Sequence, residues 1–94
     1  MKKKSAITSE HFTIDGNVIH LRDNLTIDNT PAFLRDLEPV LRKSRETDLS
    51  LDLSELRYID SAGATAIHAI KKTAGQYNVS LSVTNAGDDI QNQL

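Results

Sequence analysis

The chain of 94 residues contains no cysteine and no tryptophan, and two tyrosines and two phenylalanines are its only aromatic residues. The lack of cysteine excludes disulfide bonds, thiolate metal sites and cysteine-based catalysis. Because aromatic side chains are so few, the core has to be built mainly from Leu, Ile and Val. The length predicts one domain rather than two, with a modest core.

Long apolar runs and a strong excess of one charge are also missing. No segment approaches the ~18 apolar residues of a membrane-spanning helix, and no apolar run follows the lysines at positions 2–4. The formal net charge of −2 disfavours nucleic acid as a partner. His11, His20 and His68 lack the spacing of metal ligands, so no metal site and no cofactor are predicted. The sequence favours a cytoplasmic, bacterial-type protein that reaches a membrane only through a partner.

The order of apolar patterns predicts strand, strand, helix, strand, helix, strand and a short third helix. Strands that alternate with helices favour a mostly parallel sheet. The predicted fold class is α/β, with a mostly parallel four-stranded sheet, an antiparallel N-terminal edge and helices mainly on one face. Residues 1–10 are predicted to be a flexible tail, and residues 11–94 a single domain. The last helix, Asp88 to Leu94, is predicted to be cut short.

In the first half, Phe12–Ile14 and Val18–Leu21 are predicted to pair as a hairpin. Its Asp15-Gly16 turn suits type I′ geometry, and residues 23–29 are predicted to be a loop. Thr30 is the predicted N-cap of the first helix, with Pro31 at its first position. Pro39 should interrupt and kink this helix. The apolar face of the helix comprises Phe33, Leu34, Leu37, Val40 and Leu41.

In the second half, alternating leucines from Leu49 to Leu53 predict a strand with one buried face. A short loop, 54–56, is expected before Tyr58 and Ile59. A second helix is predicted to start near Ser61 and to end at a C-terminal cap formed by Gly75. Its buried face comprises Gly63, Ile67, Ile70 and Ala74, and the final strand carries Val79, Leu81 and Val83.

The sequence Asp60-Ser61-Ala62-Gly63 stands where the buried strand ends and the second helix begins. In one interpretation Asp60 or Ser61 is a helix cap, and the small residues let the helix pack on the sheet. In the other, a kinase modifies the accessible Ser61 hydroxyl. The helix N-terminus then stabilises the phosphate, and Asp60 makes the phosphate a surface-charge switch. Residue chemistry alone leaves both interpretations open.

Catalysis is not predicted. Seven residues of helix separate Ser61 from His68 by about 10 Å, and a serine–histidine pair needs ~2.6–3.2 Å. The same spacing places the two side chains on one helix face. A solvent-facing stripe is therefore predicted to extend along the helix from the strand–helix junction at 60–63, and it comprises Ala64, Thr65, His68 and Lys72. This stripe is either a hydrated helix face or a docking edge for a protein partner.

The segment LSLDLSELRYIDSAGATAIHAIKKTAG (Leu49–Gly75) resembles the signature of the STAS family, named for sulfate transporters and anti-sigma factor antagonists. The hairpin and first helix follow the order of the family. The resemblance to anti-sigma factor antagonists implies a phosphorylatable serine at Ser61. It also implies a serine-kinase anti-sigma factor as partner, which is released when Ser61 is phosphorylated. The alternative is a STAS subunit or domain of a lipid-trafficking ABC permease system or an anion transporter, which would dock on its permease or ATPase.

The resemblance also implies a partner surface at the turn after the second strand. Family members often carry a Gly-Glu-Leu-Asp-like turn there, of which 23–26 retains only the leucine, and Asn24 and Thr26 occupy the partner-facing positions. The predicted partner-binding residues are Asp60, Ser61, Ala62, Gly63, Ala64, Thr65, His68, Lys72, Asn24 and Thr26.

Overall fold

The computed structural model describes residues 11–94, which form a four-stranded sheet with three helices. In chain order the elements are β1 (Phe12–Asp15), β2 (Val18–Leu25), α1 (Thr30–Lys43), β3 (Asp48–Ile59), α2 (Ser61–Gln76), β4 (Ser80–Thr84) and α3 (Asp88–Gln93). The strand order is β1-β2-β3-β4, with β1 antiparallel to β2 and the other pairs parallel. The predicted α/β class with an antiparallel N-terminal edge is confirmed. The predicted tail lies outside the described residues.

One hydrophobic core joins the inner face of the sheet to the helices. All three helices contribute buried side chains to it, for example Phe33 of α1, Ile67 of α2 and Ile90 of α3. The apolar face predicted for α1 is confirmed, with Leu34 only partly buried at its margin. The predicted core of β3, α2 and β4 is also confirmed: Leu51, Leu53, Ile59, Ile67, Ile70 and Leu81 are buried, and Val83 is partly buried against them.

Strand β3 differs from the prediction, because it continues through the expected loop at 54–56. Between the pairs His20–Asp52 and Arg22–Glu55, β3 advances three residues while β2 advances two. A second irregularity follows between Asp23 and Asn24. Such bulges shift the alternation of inward and outward side chains without ending the strand. The buried positions of β3 therefore change from every second residue to Leu53, Leu56 and Ile59.

The hairpin and the end of β2 also differ in detail. The two residues between the paired Asp15 and Val18 are Gly16 and Asn17, and only Gly16 has a positive φ, +61°. A type I′ turn needs positive φ at both central residues, so the predicted turn type is wrong. Strand β2 extends to Leu25, which shortens the loop predicted over 23–29.

Three predictions about the helices are wrong: the N-cap of α1, the interruption at Pro39 and the C-terminal cap of α2. Helix α1 is capped by Asn29 rather than Thr30, and it continues through Pro39 without interruption. Gly75 lies inside α2, and Asn78, at φ +60°, provides the left-handed residue that ends this helix. Its neighbour Val79 donates a backbone hydrogen bond to the Ala74 carbonyl at 2.9 Å.

The outer face of the sheet is polar and is organised by Asp52. Asp52 lies between two of the alternating leucines of β3, on the face opposite to theirs, yet it is only 9% exposed. Its carboxylate accepts hydrogen bonds from the Ser54 backbone N–H at 2.9 Å and from the Asn85 side chain at 3.2 Å. His20 Nδ1 lies 3.0 Å from its other oxygen. The Ser54 bond, above all, lowers the pKa of Asp52, with Asn85 and His20 acting in the same direction against burial.

Candidate functional site

Asp60 is the residue that caps α2, and its carboxylate joins two separate segments. Its Oδ1 accepts a hydrogen bond from the Gly63 backbone N–H at 2.8 Å, and its Oδ2 accepts one from the Ile27 backbone N–H at 3.0 Å. These bonds, Gly63 first and Ile27 second, lower the pKa of Asp60. The Asp60 N–H also donates to the Leu25 carbonyl at 3.3 Å. Asp60 therefore braces the turn between β2 and α1 against the start of α2.

Ser61 is the first residue of α2 and is exposed. Because Asp60 provides the cap, the Ser61 hydroxyl is not needed for that purpose. No hydrogen bond from this hydroxyl is found within residues 11–94. The hydroxyl thus stands free at a helix N-terminus, a position where backbone N–H groups favour an added negative charge.

Gly63 is small because α2 approaches β2 very closely. A Cβ atom added at Gly63 would lie 2.2 Å from the Leu25 carbonyl oxygen and 2.7 Å from Ile59 Cγ1. Gly63 is buried, and Ala64 is only 7% exposed. Both were predicted as partner-binding residues, and the placement of Ala64 on a solvent-facing stripe is wrong. The structure gives these two residues a packing role in holding α2 on the sheet.

The turn between β2 and α1 is held by the side chain of Asn29. Its amide donates to the Asn24 carbonyl at 2.8 Å, and its Oδ1 accepts from the Thr26 N–H at 2.8 Å. The Thr26 hydroxyl in turn accepts a hydrogen bond from the Asp28 N–H at 3.2 Å. Asn29 therefore holds both residues predicted as partner-facing, Asn24 at the end of β2 and Thr26 in the turn, and Asp60 connects this turn to the α2 junction.

The exposed face of α2 carries the remaining residues of the predicted stripe. Thr65, His68 and Lys72 are exposed, as expected from their spacing after Ser61. His68 Nε2 lies 3.2 Å from the carbonyl oxygen of Leu94, so the ring faces the α3 side of the helix. Ala62 is half-buried and faces the opposite side, toward α1.

A shallow groove of about 360 Å³ runs between α1 and α2 and begins at the junction. Its lining contains no charged residue; it is formed by Thr30, Leu34, Ser61, Ala62, Thr65, Ala66 and Ala69. We call this surface the α1–α2 groove. It connects the predicted site residues Ser61, Ala62 and Thr65 with Thr30 and Leu34 of α1, which were not predicted to belong to the site.

Two exposed apolar side chains beside Asp60 were not predicted from the sequence as part of the site. Ile27 is 69% exposed and Tyr58 is 56% exposed. The backbone N–H of Ile27 is fixed by Asp60, and Tyr58 precedes Asp60 by two residues on β3. An isolated isoleucine in a polar loop carries no periodic signal, so its position next to the junction could be found only from the fold.

Neither a metal-binding cluster nor a membrane-spanning helix is found in the described residues. Within residues 11–94, no group of three or more histidine or carboxylate side chains is arranged to hold a metal ion. No helix in the same range is long and apolar enough to cross a membrane. The arrangement around Ser61 is a surface of small, apolar and hydroxyl-bearing groups, which suits contact with another molecule.

Comparison with known proteins identifies the family. The sequence model of the family described as "Mlab, STAS domain" matches residues 10–94, and the chain belongs to this STAS family. No curated protein gives a significant match. The predicted resemblance to STAS domains is thereby confirmed.

Two solved structures share the fold. SLC26A9 matches with a TM-score of 0.68 and 17% sequence identity over 81% of this chain. The structure described as Mglu matches with a TM-score of 0.65 and 19% identity over 82% of this chain. The aligned regions are 15% and 19% of those two chains, so this chain corresponds to a small part of each.

Proposed function

We propose that this chain is a non-catalytic interaction domain that docks on a protein partner through the junction around Ser61. The free, exposed Ser61 hydroxyl beside the Asp60-braced turn is the observation that carries the proposal. Hydrogen bonds from Asp60 to the backbone of the turn and of α2 hold the segments that present Ile27 and the α1–α2 groove. Such preorganisation lowers the entropy cost of association.

The partner class favoured by the comparisons is a permease or ATPase of a transport system. The family description "Mlab, STAS domain" and the fold similarity to SLC26A9 support this alternative over a free-standing switch protein. Purified ATPase and permease subunits encoded near the gene should bind the chain in isothermal titration calorimetry. An absence of binding to both would contradict the transporter assignment.

The second candidate is an anti-sigma factor antagonist that phosphorylation of Ser61 switches off. The free hydroxyl favours it, because a kinase could reach Ser61 without disturbing the cap. Incubation with a serine-kinase anti-sigma factor and ATP, followed by mass spectrometry, should then place the phosphate on Ser61. Labelling at another residue, or none, would contradict this candidate.

Substitutions of Ser61 test docking in both cases. Because Asp60 rather than Ser61 caps the helix, Ser61→Ala should change the free energy of unfolding by no more than about 0.5 kcal/mol. Ser61→Asp should melt close to wild type, since a helix N-terminus tolerates an anion. At a closely packed interface, however, its unpaired charge beside Asp60 should weaken binding at least about tenfold. Wild-type affinity in Ser61→Asp would mean that the partner does not contact this junction.

A further inference from the structure

A buried threonine, Thr30, lines the α1–α2 groove, and its hydroxyl has no hydrogen-bond partner among residues 11–94. Thr30 is only 8% exposed, yet its side chain makes no hydrogen bond within residues 11–94. Its backbone N–H is already bonded to the Thr26 carbonyl at 2.9 Å. Buried polar groups in native proteins are nearly always paired, because an unpaired one loses its hydration without compensation. The Thr30 hydroxyl is therefore available for a hydrogen bond to a molecule that enters this groove.

The shape and lining of the groove restrict which kind of molecule can bind in it. Leu34 lies one helical turn after Thr30, and Ala69 lies eight residues after Ser61, so the groove extends about 12 Å along two neighbouring helices. Side chains without charge line it throughout. An amphipathic helix packs into such a groove through its own apolar ridge.

Charged residues near the two ends of the groove favour one orientation of a bound helix. Asp28 is exposed and forms no ion pair within residues 11–94, and Asp60 adds a second carboxylate at the same end. Beyond the other end, three residues after Ala69, stands the exposed Lys72. A helix with a cation near Asp28 and an anion near Lys72 would be complementary to these charges.

We propose that the α1–α2 groove receives an amphipathic helix of the partner protein, which supplies a polar side chain to the Thr30 hydroxyl and a basic residue to Asp28. This proposal rests on the proposed docking function and specifies which segment of the partner docks. It also predicts opposite effects of Thr30 on stability and on binding. Thr30→Val replaces an unpaired hydroxyl by a methyl group of similar shape, which should leave the isolated domain as stable as wild type or more stable.

Photocrosslinking in the organism that carries the gene tests the helix. A benzophenone amino acid is introduced at position 69 in the groove, at position 27 in the braced turn, and at position 76, an exposed control site on the same helix outside the groove. The crosslinked peptide from position 69 should map to a helix with an apolar face and a Lys or Arg near one end. Thr30→Val should lower this yield about threefold to tenfold, the effect of one lost hydrogen bond, while Thr13→Val on β1 should not.

The positions separate this proposal from the proposed function. Crosslinks from position 27 without crosslinks from position 69 above the level of position 76 would leave junction docking intact and overturn the groove helix. Crosslinks from neither position would overturn both. A crosslink from position 69 to an extended or acidic segment would overturn the groove helix. A wild-type yield in Thr30→Val would overturn the proposed hydrogen bond to Thr30.

Discussion

At the scale of single residues, Gly63 is a position of the junction that has no room for a larger side chain. Its Cα approaches the Leu25 carbonyl so closely that an added methyl group must displace backbone. Gly75, on the same helix, has no heavy atom within 4 Å of the same hypothetical methyl group. These two glycines therefore have the same sequence letter and opposite structural roles.

Gly63→Ala should lower the free energy of unfolding by about 1–3 kcal/mol or more, because it overpacks the α2–sheet contact. Gly75→Ala should be neutral or stabilise by up to about 1 kcal/mol, since alanine favours the helix interior. Urea denaturation of both variants measures the difference. Equal stability of the two variants would contradict the close approach of α2 to β2.

Asp52 and Asp60 predict how stability depends on pH. Both carboxylates have a pKa below the usual value when folded, because backbone N–H groups bond to them. A lowered folded pKa means that their stabilisation is complete above the unfolded pKa of about 3.9 and is lost as pH falls through the folded values. The domain should therefore lose stability progressively below about pH 4.

Urea denaturation at pH 7 and pH 3 checks this. Asp60→Asn and Asp52→Asn should each be less stable than wild type at pH 7 and should lose less stability on acidification. Asp48→Asn is the matched control, because Asp48 is exposed and forms no hydrogen bond or ion pair through its side chain in the described residues. A pH slope unchanged in the first two variants would contradict the assigned hydrogen bonds.

At the scale of elements, α2 provides the longest buried face of the site. Ile67 is 1% exposed and lies at the centre of that face. Ile67→Ala should cost about 2–5 kcal/mol of unfolding free energy, a large fraction of the stability of a small domain. Thr65→Ala, on the exposed side of the same helix, should stay within about 0.5 kcal/mol of wild type. Thermal denaturation compares the two, and a near-neutral Ile67→Ala would mean that this helix face is misassigned.

The elements also show what the sequence could and could not predict. The faces of α1 and α2 followed from a 3.6-residue period, because helix positions repeat regularly even where packing varies. The residues at 54–56 were mistaken for a loop because a bulge changes the two-residue period of β3 without ending its pairing to β2. The cap bond from Asp60 to the Gly63 N–H is local, and Asp60 was one of the two predicted caps, but its second bond, to the Ile27 N–H thirty-three residues away in the chain, was not predicted. Local sequence carries no record of that contact.

At the scale of the whole molecule, the groups with catalytic potential are kept apart. Ser61 is exposed at the start of α2, and the His68 ring, seven residues further along the same helix, lies against the Leu94 carbonyl. The isolated domain should therefore show no hydrolysis of esters, phosphoesters or nucleotides. Steady-state assays of wild type and Ser61→Ala check this, and turnover that disappears in the variant would show a catalytic role.

The brace formed by Asp60 has an evolutionary consequence. Its Oδ2 holds the backbone N–H of Ile27 and does not depend on the side chain at that position. Residue 27 is thus free to vary among nineteen amino acids while the turn keeps its geometry; proline is the exception, because it lacks the N–H. If the domain docks as proposed, a substitution at position 27 therefore changes the docking surface without changing the scaffold that presents it.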